Sequence, residues 1–305
     1  MAENAITIFN LTKRYGDLVA INELSIMVES GELFGLIGPD GAGKTTLMQV
    51  ICGLRDYDSG NCTVSGYDCR YELTAIRKII GYMPQRFSLY PDLTVAENLR
   101  FFADLFQVTR DERTKRQERL LTFNRLALFE QRRASDLSGG MKQKLALSCT
   151  LIHRPDILIL DEPTTGVDPV SRREFWEILH ELRTEGVTIF VSTPYMDEAQ
   201  KCDRIAFMYL GRIMVIDRPD LIVTYFKKTL YELNSQDLYS TYNAMNDLNS
   251  VESRQLFGDR IHFTSSSLNM VKQELDEKAI PYTSIQQIEP TMEDVFIELM
   301  QQNQE

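Results

Sequence analysis

The sequence has 305 residues, 43% hydrophobic and 25% charged, with a formal net charge of −11. This is the composition of a globular chain with a real core, long enough for one large domain or two ordinary ones. No Lys/Arg run is long enough to track a nucleic-acid backbone and no apolar stretch approaches the ~20 residues of a membrane span, which argues against a nucleic-acid partner and for a soluble, cytoplasmic chain.

The N-terminus, Met1-Ala2-Glu3-Asn4, lacks a signal pattern. Residues 5–37 alternate apolar and polar segments, with turn signals at Tyr15-Gly16-Asp17 and Glu29-Ser30-Gly31-Glu32. That pattern predicts an antiparallel strand group feeding a first core strand. Tyr15, next to Lys13-Arg14, is either an ordinary strand aromatic or a flat ring on which adenine stacks. The run Leu33-Phe34-Gly35-Leu36-Ile37 then meets Gly38-Pro39-Asp40-Gly41-Ala42-Gly43-Lys44-Thr45-Thr46, and Leu47 to Ile51 follows. Strand, tight turn and helix in that order suit a phosphate-binding loop. The glycines let successive N–H groups turn inward on an anion at the positive end of a helix. Lys44 then reaches the β- and γ-phosphates, and the Thr45 hydroxyl coordinates Mg²⁺. Cys52, Cys62, Cys69, Cys149 and Cys202 show no ligand spacing and read as reduced thiols acting as small apolar residues.

Gly60 to Gly66 and Ile79 to Met83 read as strands, the second running into Pro84-Gln85. Thr94 and Glu97 stand at capping-box spacing before a stripe of Val95, Leu99, Phe102 and Phe106. Residues 109–135 are charge-rich and read as a solvated helical face. Leu137-Ser138-Gly139-Gly140-Met141 opens another helix (stripe Met141, Leu145, Cys149, Ile152), and forms either a plain turn and N-cap or a second anion site. Ile157-Leu158-Ile159-Leu160 reads as a strand buried on both faces. The acids at its end, Asp161 and Glu162, sit where open α/β sheets place their chemistry, the first for Mg²⁺ and the second for a water aimed at the γ-phosphate. Asp168 and Pro169 cap a helix with Phe175, Ile178, Leu179 and Leu182 inward, and Val187 to Val191 is one more buried strand.

The order and spacing of these parts resemble the nucleotide-binding subunit of ATP-binding cassette (ABC) transporters, over residues 4 to about 225. Gly38 to Thr46 is similar to the family's phosphate loop, Gln85 to its glutamine loop, and Leu137 to Met141 to its signature, with Met141 where Gln is usual. Asp161 and Glu162 match its magnesium and base acids, Gly166 to Pro169 its D-loop, and Tyr15 its adenine-stacking aromatic. Gly81 to Phe87, the signature helix start and Glu289 to Phe296 resemble the drug-resistance and multidrug-exporter type. There the chain is most similar to the first ATP-binding half of exporters whose halves differ.

The resemblance implies an α/β fold: a P-loop NTPase core with an antiparallel β-subdomain, a helical insertion at about 86–155, and a small C-terminal α/β domain. The ATP-binding domain would cover 1–225 and the accessory domain 226–305. It implies ATP and Mg²⁺ as cofactors, with Tyr15, Gly38, Pro39, Asp40, Gly41, Ala42, Gly43, Lys44, Thr45, Thr46, Gln85 and Asp161 around the nucleotide. Thr45, Gln85 and Asp161 would face the metal, and Glu162, Lys44 and Gln85 the chemistry. Ser138, Gly139 and Gly140 would close the site of a second cassette subunit. Integral membrane permease subunits are the other partners, with the chain peripheral on the cytoplasmic face of the cell membrane. Two departures stand out. Asp40 replaces the usual Asn, and its side chain is expected to turn back and cap the loop. Pro194 falls at the family's switch histidine and offers no donor, which implies poor hydrolysis at the chain's own site and a heterodimer with a complete partner. A regulatory ATP-binding partner and, less in keeping with a single cassette, a soluble ATPase of translation or DNA repair are the alternatives. His153, His180 and His262 are expected to be bystanders.

The tail after Pro219 is expected to hold strands near 229–234, 260–264 and 282–288, a helix of Leu268, Val271 and Leu275, and a final helix at 291–301 opened by Thr291 and Asp294.

Overall fold

The computed structural model describes residues 4–86 and 89–302; Met1, Ala2 and Glu3 of the N-terminal reading and Phe87 of the Gly81–Phe87 segment lie outside them. Two compact units divide at Met1–Pro219 and Asp220–Glu305, a few residues before the expected position 225.

In the first unit, β1 (Asn4–Tyr15) and β2 (Leu18–Glu29) pair antiparallel, and β3 (Leu33–Ile37) leads into α1 (Lys44–Ile51). Next come β4 (Ser59–Val64), β5 (Tyr67–Asp68), α2 (Leu73–Ile79) and β6 (Ile80–Met83). Helices α3 (Val95–Leu105), α4 (Arg110–Phe123) and α5 (Gly139–Leu151) follow. β7 (Ile157–Asp161), α6 (Pro169–Thr184), β8 (Thr188–Thr193) and α7 (Met196–Ala199) carry the chain back through the core, and β9 (Arg204–Tyr209) and β10 (Arg212–Asp217) close it.

These strands make two sheets. One is antiparallel, in the order β2-β1-β4-β5; the other runs β10-β9-β3-β8-β7-β6. In the second, every pair is parallel except β10 with β9. β3, β7 and β8 are buried at every residue, as strands covered on both faces must be. Ile6, Ile8, Leu11 and Ile26 of the antiparallel sheet share one core with Leu47, Met48 and Val50 of α1 and Ile157, Ile159 and Phe190 of the parallel sheet. All five cysteines are free and buried, Cys52, Cys62 and Cys69 within that core. The antiparallel group and the four core strands expected from the apolar runs are therefore present, while β9 and β10 were not foreseen.

The helices after β6 keep a core of their own, in which Val95 and Leu99 of α3 meet Leu121, Leu126, Leu137, Leu145 and Cys149. Phe102 packs against its edge, but Phe106 lies beyond the end of α3, half-exposed and stacked on His153 at 3.9 Å. The charge-rich α4 buries only Leu121. At the head of α3, Glu97 N–H donates to Thr94 Oγ1 at 3.2 Å and Thr94 N–H to Glu97 Oε2 at 2.8 Å, the reciprocal capping box read from the sequence.

The division between units falls within α8 (Pro219–Ile222). Beyond it, β11 (Leu230–Asn234), α9 (Leu238–Ala244), β12 (Ser253–Phe257), β13 (Arg260–Thr264), α10 (Leu268–Glu277), β14 (Ser284–Ile288) and α11 (Met292–Gln302) form the second unit. Its antiparallel sheet runs β12-β13-β11-β14 over a core of Leu233, Ile261, Phe263, Val271 and Leu275. His262 has a packing role there. Its Nδ1 lies 2.8 Å from Asp294 Oδ1 of α11, both side chains are buried, and its ring stacks on the half-buried Phe257 at 4.1 Å. Burial pushes the Asp294 carboxyl up, but hydrogen bonds from His262 and Thr291 outweigh it and hold the group below the usual range.

Thr94→Ala removes the side-chain half of the capping box at α3 and is expected to lower unfolding stability by about 1 kcal/mol. A shift of the urea midpoint at unchanged slope is the measurement.

Candidate nucleotide-binding site

The loop from Gly38 to Gly43 bends where only glycine fits. Gly43 has φ +107°, and a Cβ on it would come within 2.4 Å of Ala20 O; one on Gly38 would lie 2.3 Å from Met208 O. The β1–β2 hairpin and the end of β9 thus press directly on the loop. Gly211 N–H donates to Ala42 O and Asn22 N–H to Gly211 O, each at 2.9 Å, so the β9–β10 turn is tied to both. Tyr15 sits at the tip of that hairpin, 40% exposed, with Lys13 Nζ 5.2 Å from its ring centre.

The expected Asp40 cap is absent. Ala42 N–H donates to Pro39 O at 3.2 Å, closing the turn through the backbone, and the Asp40 side chain is exposed with no hydrogen bond among the described residues.

Lys44, the first residue of α1, turns its side chain back across the loop. Nζ donates to Gly38 O at 2.8 Å and Pro39 O at 3.0 Å, and stands 3.1 Å from Glu162 Oε1. Gln85, two residues after β6, donates through Nε2 to Glu162 Oε2 at 2.9 Å, and the Thr165 hydroxyl reaches the same oxygen at 3.3 Å. Two sequence-distant segments and a near neighbour thus converge on one carboxylate.

Asp161, at the end of β7, has no solvent exposure. Its Oδ1 accepts from Ser192 Oγ at 2.8 Å, and that hydroxyl accepts in turn from Glu162 N–H at 3.0 Å. Its Oδ2 is buried without a hydrogen-bond partner. Burial pushes the Asp161 carboxyl up, the Thr45 and Ser192 hydroxyls and Lys44 oppose the rise, and Glu162 adds to it. A buried carboxylate oxygen with no hydrogen bond is what a cation would complete, so Asp161 fits a hard divalent ion held through oxygens.

Ser138 caps α5, accepting from Met141 N–H at 3.3 Å. Around it the chain meets the start of α6 and the loop before it: a Cβ on Gly140 would strike Ser171 at 2.4 Å, and one on Gly139 would stand 3.9 Å from Gly166 O. Among the described residues no hydrogen bond joins Ser138, Gly139 or Gly140 to Lys44, Asp161 or Glu162. The structure thus brings the loop, Gln85 and the two acids together and leaves the signature apart.

Sequence reasoning missed Ser192 and Thr165, although Ser192-Thr193 directly after a buried apolar run is a visible signal. Asp168 caps α6 as expected, accepting from Val170 and Ser171 N–H at 3.1 and 2.9 Å.

Residues 21–165 match the ABC transporter family model. YbhF of Escherichia coli strain K12, named a probable multidrug ABC transporter ATP-binding protein, is 48% identical over 221 residues; the match covers 72% of this chain and 38% of YbhF, so the chain spans well under half that relative. The Nod factor export ATP-binding protein I of Rhizobium etli is 36% identical over 301 residues, covering 98% of this chain and 94% of its own length. Among solved structures, the dimeric ATP-binding cassette MJ0796 bound to ADP and Pi superposes with a TM-score of 0.64 at 27% identity, over 70% of this chain and 98% of that one. With the convergence on Glu162 and a relative matched over nearly its whole length, the chain belongs to the ATP-binding subunits of ABC transporters.

Proposed function

We propose that this chain drives an exporter by binding and hydrolysing ATP at the cytoplasmic face of a membrane, and that its own site hydrolyses poorly. What carries the reading is the meeting of Lys44 and Gln85 on Glu162, beside an Asp161 oxygen that lacks a partner. The amides of Gly38, Pro39-flanked Asp40, Gly41, Ala42, Gly43, Lys44, Thr45 and Thr46 hold the triphosphate, and Tyr15 stacks on adenine. Thr45, Asp161 and Gln85 would hold Mg²⁺, which when bound would supply positive charge against the triphosphate. Glu162 takes a proton from the attacking water, while Lys44 donates to the transferring phosphoryl group.

Pro194 follows Thr193 at the end of β8 and supplies no donor where the family's histidine would face the γ-phosphate. The cassette completed by Ser138, Gly139 and Gly140 is then a partner's, and a second, fully equipped cassette subunit together with integral membrane subunits makes up the transporter. The dimeric form of MJ0796 supports two facing cassettes. A regulatory role, in which occupancy matters and turnover does not, is favoured by Pro194 and opposed by Glu162, which keeps its place among Lys44, Gln85 and Thr165.

Phosphate release by the chain alone is expected to be slow, and Pro194→His to raise it by about 10²-fold. Vigorous Mg²⁺-dependent hydrolysis by the unaltered chain, abolished by Glu162→Gln, would sink the impaired-site reading. Lys44→Ala is expected to weaken ATP binding about tenfold or more in calorimetric titration; an unchanged affinity removes the loop from nucleotide binding. Detergent extracts should yield the chain with an integral membrane protein and a second cassette, and co-purification with ribosomes or DNA alone would overturn the transport assignment.

A further inference from the structure

Glu198, in α7, has no solvent exposure, and its carboxylate is engaged by three other segments. Thr164 Oγ1 donates to Oε1 at 2.7 Å, Thr193 Oγ1 donates to Oε2 at 2.5 Å, and Arg172 Nε stands 3.6 Å from Oε1. Thr164 lies two residues after Glu162, Thr193 ends β8 immediately before Pro194, and Arg172 belongs to the first turn of α6 behind the Asp168 cap. Both threonines are as buried as the acid they serve. The Arg172 guanidinium also lies over the Tyr195 ring at 4.3 Å, so the same group braces the segment after β8.

A buried carboxylate with one charged neighbour beyond hydrogen-bond distance is a poor stabiliser, because desolvation of both ions offsets their attraction. What it supplies is geometry. Two charge-assisted hydrogen bonds, one on each oxygen, fix both hydroxyls and the two backbones that carry them.

Glu162 needs such support. Its φ is +48°, a left-handed conformation that a non-glycine residue keeps only where its surroundings over-determine it. On one side, Ser192 accepts the Glu162 N–H through its hydroxyl at 3.0 Å and its carbonyl at 3.2 Å. On the other, Thr165 N–H donates to Glu162 O at 3.2 Å, closing a turn whose third residue is Thr164. Tying down Thr164 therefore ties down that turn.

We infer that Glu198 is a positioning residue for hydrolysis: by gripping Thr164 and Thr193 it sets where the Glu162 carboxylate stands relative to the end of β8. The inference rests on Glu162 being the base. Pro194 sharpens it, because a residue with no side-chain donor leaves the strand end held by Thr193, whose hydroxyl donates to Glu198 and accepts from Tyr195 N–H at 3.1 Å.

The test is single-turnover hydrolysis of radiolabelled Mg-ATP by excess full-length chain, in the unaltered and Pro194→His proteins alike, with ATP affinity measured on the same samples. Thr164→Val and Glu198→Gln are expected to hydrolyse about tenfold or more slowly with affinity held within about twofold, and Thr164→Ser, which restores the hydroxyl, to keep the original rate. Thr164→Val turning over at the original rate, while Glu162→Gln is slow, overturns the positioning role and leaves the base assignment standing. Glu162→Gln turning over at the original rate overturns both. Loss of ATP binding together with rate in Thr164→Val makes the cluster structural and also overturns the inference. Should Glu198→Gln fail to fold, the contrast between Thr164→Val and Thr164→Ser decides.

Discussion

The Lys44–Glu162 contact at 3.1 Å is the constraint on which the site depends, and it joins side chains only 3% and 7% exposed. Lys44 follows β3 and Glu162 follows β7, yet these strands are not neighbours; β8 lies between them. Adjacent strands stand about 4.8 Å apart, so the two chain ends are separated by about 10 Å, a gap that a lysine stem can cross from a loop curled over the sheet edge. The curl requires Gly43 in a conformation and a space no other residue fits, with Ala20 O pressed against it. Strand order, loop path and the turn at Glu162 must therefore be correct together, since two charges withdrawn from water are costly when unpaired.

The same reasoning explains which parts of the molecule were legible in the sequence. Strands covered on both faces, such as Ile157 to Leu160, carry unbroken apolar runs, so the parallel core announces itself. The phosphate loop and the Thr94–Glu97 capping box are contiguous in the chain, and local chemistry is readable locally. The β9–β10 hairpin escaped because its turn is Leu210-Gly211, both at positive φ (45° and 78°), and a leucine at such a position gives no turn signal. Ser192 and the Thr164 side of the Glu198 cluster escaped because the partners lie far off: Thr164 is 34 residues from Glu198, and Asp161 is 31 from Ser192. Hydroxyl–carboxylate pairs of that span leave no periodic trace.

The second unit shows the same limit from another side. Leu268, Val271 and Leu275 mark α10 by spacing, and Thr291 with Asp294 marks the start of α11, where Asp294 N–H donates to Thr291 Oγ1 at 3.3 Å. Asp294 also serves His262 through its other oxygen, a use that capping alone does not suggest. Glu232 on β11 takes Arg260 at 2.7 Å and Gln286 at 3.0 Å from the two flanking strands. Acids on this sheet thus act as cross-strand fasteners, and their pairing follows from strand register, which places Glu232 opposite His262 and Gln286.

Under the proposed function, the arrangement around Pro194 would separate binding from chemistry. The residues proposed to hold the triphosphate include the loop, Lys44 and Asp161, and none of these touches residue 194 through a hydrogen bond among the described residues. On the role proposed for residue 194, a donor missing at the end of β8 would remove a contact that matters most as charge develops on the γ-phosphate oxygens, and would act on rate rather than affinity. Meanwhile Glu162 stays gripped by Ser192 and, through Thr164, by Glu198. Relaxation of the whole site would have released that buried carboxylate and the left-handed turn with it. Their presence confines the effect proposed for Pro194 to the end of β8 and leaves the Glu162 turn intact.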